Sequence, residues 1–181
     1  MAELAAFLRG INVGGHNPVP MKELKTAFES LRFKNVQTLL ASGNVLFEAP
    51  SAAQAALERT IEEKLKSTFG QEIRVLVRSK EELQRLNDSQ PFKKIDVTPQ
   101  TRLYVTFLSE KPETHLKIPY TSPDRNFRIL RATEREVCSV ATLSPNTRTV
   151  ELMSILEKEY GRQVTTRNWN TIVRLLKSHQ G

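Results

Sequence analysis

Between residues 36 and 47 the chain reads Val-Gln-Thr-Leu-Leu-Ala-Ser-Gly-Asn-Val-Leu-Phe, two short apolar and β-branched runs joined through Ser42-Gly43-Asn44. A Gly-Asn pair between such runs is a hairpin signal, because glycine supplies the positive φ that a tight β-turn needs. The hairpin constrains everything around it. Before it stand a strand-like run at residues 3–8, a Gly-rich stretch at 10–17, and a helical pattern entered through Pro18 and Pro20. Met21, Leu24, Ala27, Phe28 and Leu31 share one face of that helix. After it, Pro50 and Ser51 open a second helix, with Ser51 and Gln54 at capping-box spacing, Leu57, Ile61, Leu65 and Phe69 on the apolar face and Gly70 as the stop. A strand over 73–77 closes the unit. The order is βαββαβ, which in a compact lobe predicts a ferredoxin-like sandwich of two helices on one face of an antiparallel sheet.

A short helix capped near Ser79 follows, and the proline-bearing stretch from Gln90 to Pro99 reads as a connection. A similar order then restarts. It comprises a strand at 103–108, a short helix at 112–117, a hairpin of 127–130 with 137–140 across Thr133-Glu134, a helix at 150–160 ended by Gly161, a short strand at 163–165 and a terminal helix at 169–177. The chain is therefore expected to be an α+β protein of two ferredoxin-like (βαββαβ) subdomains with an additional C-terminal helix. The first lobe is placed at 1–90, the linker at 91–101 and the second lobe at 102–181.

The formal net charge of +7 over 181 residues is unevenly placed. Residues 1–90 carry 12 basic against 11 acidic side chains, and residues 91–181 carry 15 against 9. Arginine dominates the second half through Arg125, Arg128, Arg131, Arg135, Arg148, Arg162, Arg167 and Arg174. Its planar fork suits phosphate and carboxylate, although a solvated basic surface has the same composition. The single cysteine, Cys138, excludes an intramolecular disulfide. His16, His115 and His179 stand apart from one another, so no zinc spacing exists, and no metal or cofactor is expected. No stretch approaches the length of a membrane helix and the first residues lack a basic n-region, so a cytoplasmic protein without membrane attachment is expected.

Topology places a candidate site. In a split-βαβ sheet the C-terminal end of strand one meets the Ser42-Gly43-Asn44 turn, and the first helix starts at the same edge with its unpaired N–H groups. Arg9, Asn12, Gly14, Gly15, His16, Asn17, Ser42 and Asn44 gather there as a cradle for phosphate or carboxylate. Gly10 and Gly15 have the glycine spacing of a P-loop, but His16 and Asn17 stand where Lys and Ser/Thr are required, which excludes a Walker-type nucleotidase. Turn geometry alone also accounts for these glycines and asparagines. A second constellation is Thr165-Thr166-Arg167-Asn168-Trp169-Asn170, with Thr166 or Asn168 positioned to cap the terminal helix. That helix divides into an apolar stripe of Trp169, Ile172, Val173, Leu175 and Leu176 and a polar side of Arg167, Asn170, Arg174 and Lys177. The polar side suits backbone phosphates or a base stacked on the tryptophan, and a core tryptophan on an amphipathic helix fits the same pattern. Cys138 between Val137 and Val140 reads as a small core residue.

Three segments, LRGINVGG at 8–15, ASGNVLF at 41–47 and TTRNWNT at 165–171, resemble those of the family known as domain of unknown function 1697. The resemblance implies a bacterial protein built as a pair of ferredoxin-like subdomains, and it implies no activity. Carried onto this chain, its signature residues are Arg9, Gly10, Asn12, Gly14, Gly15, Ser42, Gly43, Asn44, Thr166, Arg167, Asn168 and Trp169. His16 and Ala41 depart from the family's usual residues. Taken together, these features lead to the expectation of a protein that binds an anionic ligand, a nucleotide or nucleic acid. An enzyme acting on an acidic substrate between the lobes, with His16 or a water moving a proton, is the alternative, and a protein-interaction module is a third. Strand one offers only Phe7 for base stacking, which speaks against an ordinary RNA-recognition module.

Overall fold

The computed structural model describes residues 1–13, 15, 18–145 and 149–178; Gly14, His16, Asn17, Arg148 and His179 lie outside the described residues. The chain divides into two compact units, Met1–Gln84 and Arg85–Gly181. Among the described residues no helix is long and apolar enough to cross a membrane.

The first unit runs β1 (Ala2–Leu8), α1 (Met21–Ser30), β2 (Lys34–Leu39), β3 (Asn44–Ala49), α2 (Gln54–Phe69) and β4 (Val75–Ser79). Its sheet has the order β2-β3-β1-β4 with every neighbour antiparallel. That is the ferredoxin-like arrangement the βαββαβ order requires. Leu4, Ala6 and Leu8 alternate toward the helices, where they meet Val45, Phe47, Val75 and Val77 from the neighbouring strands and Leu24, Phe28, Leu57, Ile61 and Leu65 from α1 and α2. Phe28, Phe33 and Phe47 form an aromatic cluster at that core, with Phe33 stacked on Phe47 at 4.7 Å between ring centres. The alternate residues Phe7, Leu46 and Leu76 are buried on the sheet's other face.

Two local expectations are corrected. The Ser51–Gln54 capping box does not form: α2 begins at Gln54, and Ala53 stands at its N-cap with no side-chain cap. The Gln54 amide instead donates to Glu82 at 2.6 Å. That carboxylate belongs to a reciprocal box further along, in which the Ser79 N–H donates to Glu82 Oε2 at 2.8 Å and the Glu82 N–H donates to Ser79 Oγ at 3.1 Å. It opens α3 (Lys80–Asp88), which runs across the boundary between the units. The last strand of the first unit also lies two residues later than its apolar run suggests.

The second unit continues with β5 (Thr101–Phe107), β6 (Tyr120–Thr121), β7 (Phe127–Ala132), β8 (Glu136–Thr142), α4 (Thr149–Tyr160), β9 (Thr165–Asn168) and α5 (Trp169–Ser178). Its sheet order is β6-β7-β8-β5-β9. With the two-residue β6 set aside, β7-β8-β5-β9 repeats the order of the first sheet, so the second lobe is also ferredoxin-like. It differs at one crossing. The helix expected over 112–117 is absent, and residues 109–119 pass from β5 toward β6 without regular structure. Pro112 and Pro119 bracket a charged segment in which only Leu116 and Ile118 are apolar, too few for a buried helical stripe. Those two residues pack on the lobe's core of Tyr104, Phe127, Ile129, Val137, Leu156 and Tyr160.

Candidate functional site

At the end of β1 the Leu8 N–H donates to the Gly43 carbonyl at 2.9 Å, carrying the sheet pairing one step into the hairpin turn. Gly43 has φ +88, and a Cβ there would lie 2.7 Å from Ile11 Cδ1 and 2.9 Å from Leu8 Cβ. Only glycine fits, by conformation and by space. The Asn44 amide, fully buried, donates to the Leu39 carbonyl at 2.8 Å and to Ser42 Oγ at 3.0 Å, which holds the turn from inside. Asn12, at φ +54, does the same for the Gly-rich loop. Its Nδ2 donates to the Val19 carbonyl at 3.0 Å and to the Ala41 carbonyl at 2.8 Å, and its Oδ1 accepts from the Val19 N–H at 2.7 Å. One side chain thus closes the loop upon itself and pins it to the hairpin. The two distinctive segments of the first unit share an edge, as the split-βαβ topology requires.

Arg9 follows β1 directly, half-buried, with its N–H bonded to the Arg74 carbonyl at 2.9 Å. Gly15, at φ +80, and Ser42 are exposed at the same edge. The chain enters α1 through Pro20, which offers no side-chain cap to the first turn. The leading N–H groups of that helix have no intrahelical partner, and the N-cap Pro20 gives them no side-chain acceptor. Asn12 and Asn44 direct their amides to the protein's own groups, and Gly10, Gly15, Pro20 and Ser42 are exposed at this edge.

In the second unit TTRNWNT takes a form that periodicity did not disclose. Residues 165–168 are strand β9, antiparallel to β5, with Arg167 opposite Val105 and Thr166 opposite Thr106. Thr166 does not cap α5; its hydroxyl bonds that of Thr106 at 2.8 Å. Arg167 is not on the exposed basic side of the helix. It is buried in the sheet, its Nη1 donates to the Thr166 carbonyl at 3.1 Å, and desolvation pushes its pKa down to about 10. Asn168 is exposed, as are Asn170, Arg174 and Lys177 on α5. Trp169 is half-buried, edge-on to Phe92 at 5.3 Å between ring centres. Ile172, Leu175 and Leu176 are buried as the stripe predicted.

Cys138 is fully buried in β8. Desolvation above all pushes its thiol up to about 12, Glu136 adds to this and Arg131 opposes it. The native protein holds the thiol proton where an unfolded chain has lost it. The resulting stability is complete below about pH 9 and falls as pH rises from there toward 12. Denaturant titrations are expected to show about 1 kcal/mol less stability at pH 10 than at pH 8 from this group, a slope absent in Cys138→Ala.

Among the described residues no three His, Cys, Asp or Glu side chains cluster as a metal site would need. The chain has no match among curated proteins. A solved structure of a conserved bacterial protein from Streptococcus pneumoniae is similar over 97% of both chains, with a TM-score of 0.65 at 19% identity. That likeness supports the two-lobed fold. Residues 1–138 match the family described as "Protein of unknown function (DUF1697)", and with more than half its length so matched the chain belongs to that family.

Proposed function

We propose that the edge of the first lobe binds the anionic group, a phosphate or carboxylate, of a nucleotide-sized ligand. The observation that carries this reading is the Asn12 clamp, which ties the two ends of the Gly-rich loop to the hairpin turn beside the start of α1, where the N-cap is Pro20. Backbone N–H groups at a helix start favour negative charge, and Arg9 adds a cation at the same edge. A nucleotide fits better than an RNA strand, because Phe7 is fully buried and offers no stacking surface.

Calorimetric titration with inorganic phosphate, nucleoside mono- and triphosphates and a short single-stranded RNA tests this. Saturable binding of a nucleotide is expected, weakened roughly 10- to 100-fold in Arg9→Ala, the effect of removing a charge-assisted hydrogen bond. Absence of saturable heat with every phosphate ligand, in protein shown to be folded, overturns it. RNA binding with a steep salt dependence and no nucleotide binding would instead favour a phosphate-backbone contact.

A further inference from the structure

The crossing at 109–119 stands where the first lobe has a helix, and a helix satisfies its own backbone whereas an irregular segment must find partners elsewhere. Among the described residues, its hydrogen bonds to the rest of the second unit converge on one side chain. The backbone N–H groups of His115 and Leu116 both donate to Glu159 Oε1 near the end of α4, the latter at 2.8 Å. The remaining polar tie is an exposed ion pair between Lys111 and Glu134 at 3.1 Å, a kind that contributes little. Between the start of the segment and the end of α4 lies a groove of about 450 Å³, bordered by Lys111, Glu113, Glu159, Tyr160 and Arg162. The Tyr160 hydroxyl is buried and has no hydrogen-bond partner among the described residues.

We infer that residues 109–119 form a strap latched by Glu159, which opens on its own while the sheet beneath stays folded. The closed state has two charge-assisted hydrogen bonds and the apolar contacts of Leu116 and Ile118 in its favour. Against it stands the Tyr160 hydroxyl, which is unsatisfied when closed and meets water when the strap lifts. Local opening at a cost below that of global unfolding is the behaviour of a segment with few buried contacts and one anchoring group. Lys111 and Glu113 of the strap form one wall of the groove, so opening of the strap takes that wall away.

Amide hydrogen exchange on the full chain tests the latch. In Glu159→Ala the His115 and Leu116 amides are expected to exchange at least about tenfold faster, with β5 and β8 amides unchanged. Glu159→Gln, which keeps one acceptor oxygen, falls between, and it gives the same reading if the alanine variant does not fold. Tyr160→Phe removes the unsatisfied hydroxyl and is expected to slow exchange at the same two amides, whereas a purely structural Tyr160 would speed it. Lys111→Ala leaves them unchanged. The inference is overturned if His115 and Leu116 are unprotected in the unaltered protein, if Glu159→Ala does not change them, or if they exchange only together with the sheet.

Discussion

Gly43→Ala is expected to lower stability by about 3 kcal/mol, the largest effect of an added methyl group among the described glycines. Two independent costs add. The backbone at φ +88 lies in the left-handed half of conformational space, where a Cβ alone costs roughly 1–2 kcal/mol. The new methyl also meets Ile11 Cδ1 at 2.7 Å and Leu8 Cβ at 2.9 Å, and overpacking of this kind costs about 1–3 kcal/mol. The first clash involves the far end of a side chain and can be relieved; the second involves an atom fixed to the β1 backbone and cannot. Ile11→Val, which removes Cδ1, should therefore recover part of the loss, with a coupling of roughly 0.5–1 kcal/mol in a double-mutant cycle followed by urea denaturation. Strict additivity would show that the Ile11 Cδ1 contact contributes nothing and that conformation and the Leu8 Cβ contact carry the cost. Gly10, at φ +70 with no atom within 4 Å of its absent Cβ, bears only the first of the two costs and serves as the internal comparison.

The same residue shows why the first lobe was legible. Gly43 between two apolar runs fixes a hairpin, the hairpin fixes which strands are neighbours, and the βαββαβ order then leaves one compact sheet arrangement, the observed β2-β3-β1-β4. The second lobe was less legible because two of its elements have no periodic signal. Strand β9 is Thr-Thr-Arg-Asn, polar throughout, and only its pairing with β5 makes it a strand. Helical spacing alone puts Arg167 on the polar face of the terminal helix, whereas the alternation of β9 turns Thr165 and Arg167 inward. The repeat of the first lobe's order predicts a short helix at 112–117, yet with only Leu116 and Ile118 to bury the 109–119 crossing has no stripe for a helix to present. At the candidate site, sequence located the edge through topology but could not say which donors the protein uses itself. Asn12 and Asn44 are ordinary loop asparagines until the Ala41, Val19 and Leu39 carbonyls come within 3.0 Å of them.

Asn12 yields the second large effect. Asn12→Ala removes two donors and one acceptor from the Val19 N–H, the Val19 carbonyl and the Ala41 carbonyl, and it places alanine at φ +54. At about 1 kcal/mol for each hydrogen bond, offset in part by water at the exposed Ala41 end, a loss of about 2–3 kcal/mol is expected. Two companions separate the contributions. Asn12→Gly accepts the positive φ without strain and so reports the hydrogen bonds alone. Asn12→Asp keeps the acceptor for the Val19 N–H but turns its other carboxylate oxygen toward two carbonyls, so its loss should exceed that of Asn12→Gly near neutral pH and shrink as the carboxyl is protonated below about pH 4. Equal stability of Asn12→Asp and the unaltered chain would show that the clamp is not made in solution. Because the clamp also holds the loop beside α1, nucleotide affinity measured where Asn12→Gly is still folded should fall as well. Unchanged affinity in that variant would detach the binding edge from the loop while leaving the clamp's structural role intact.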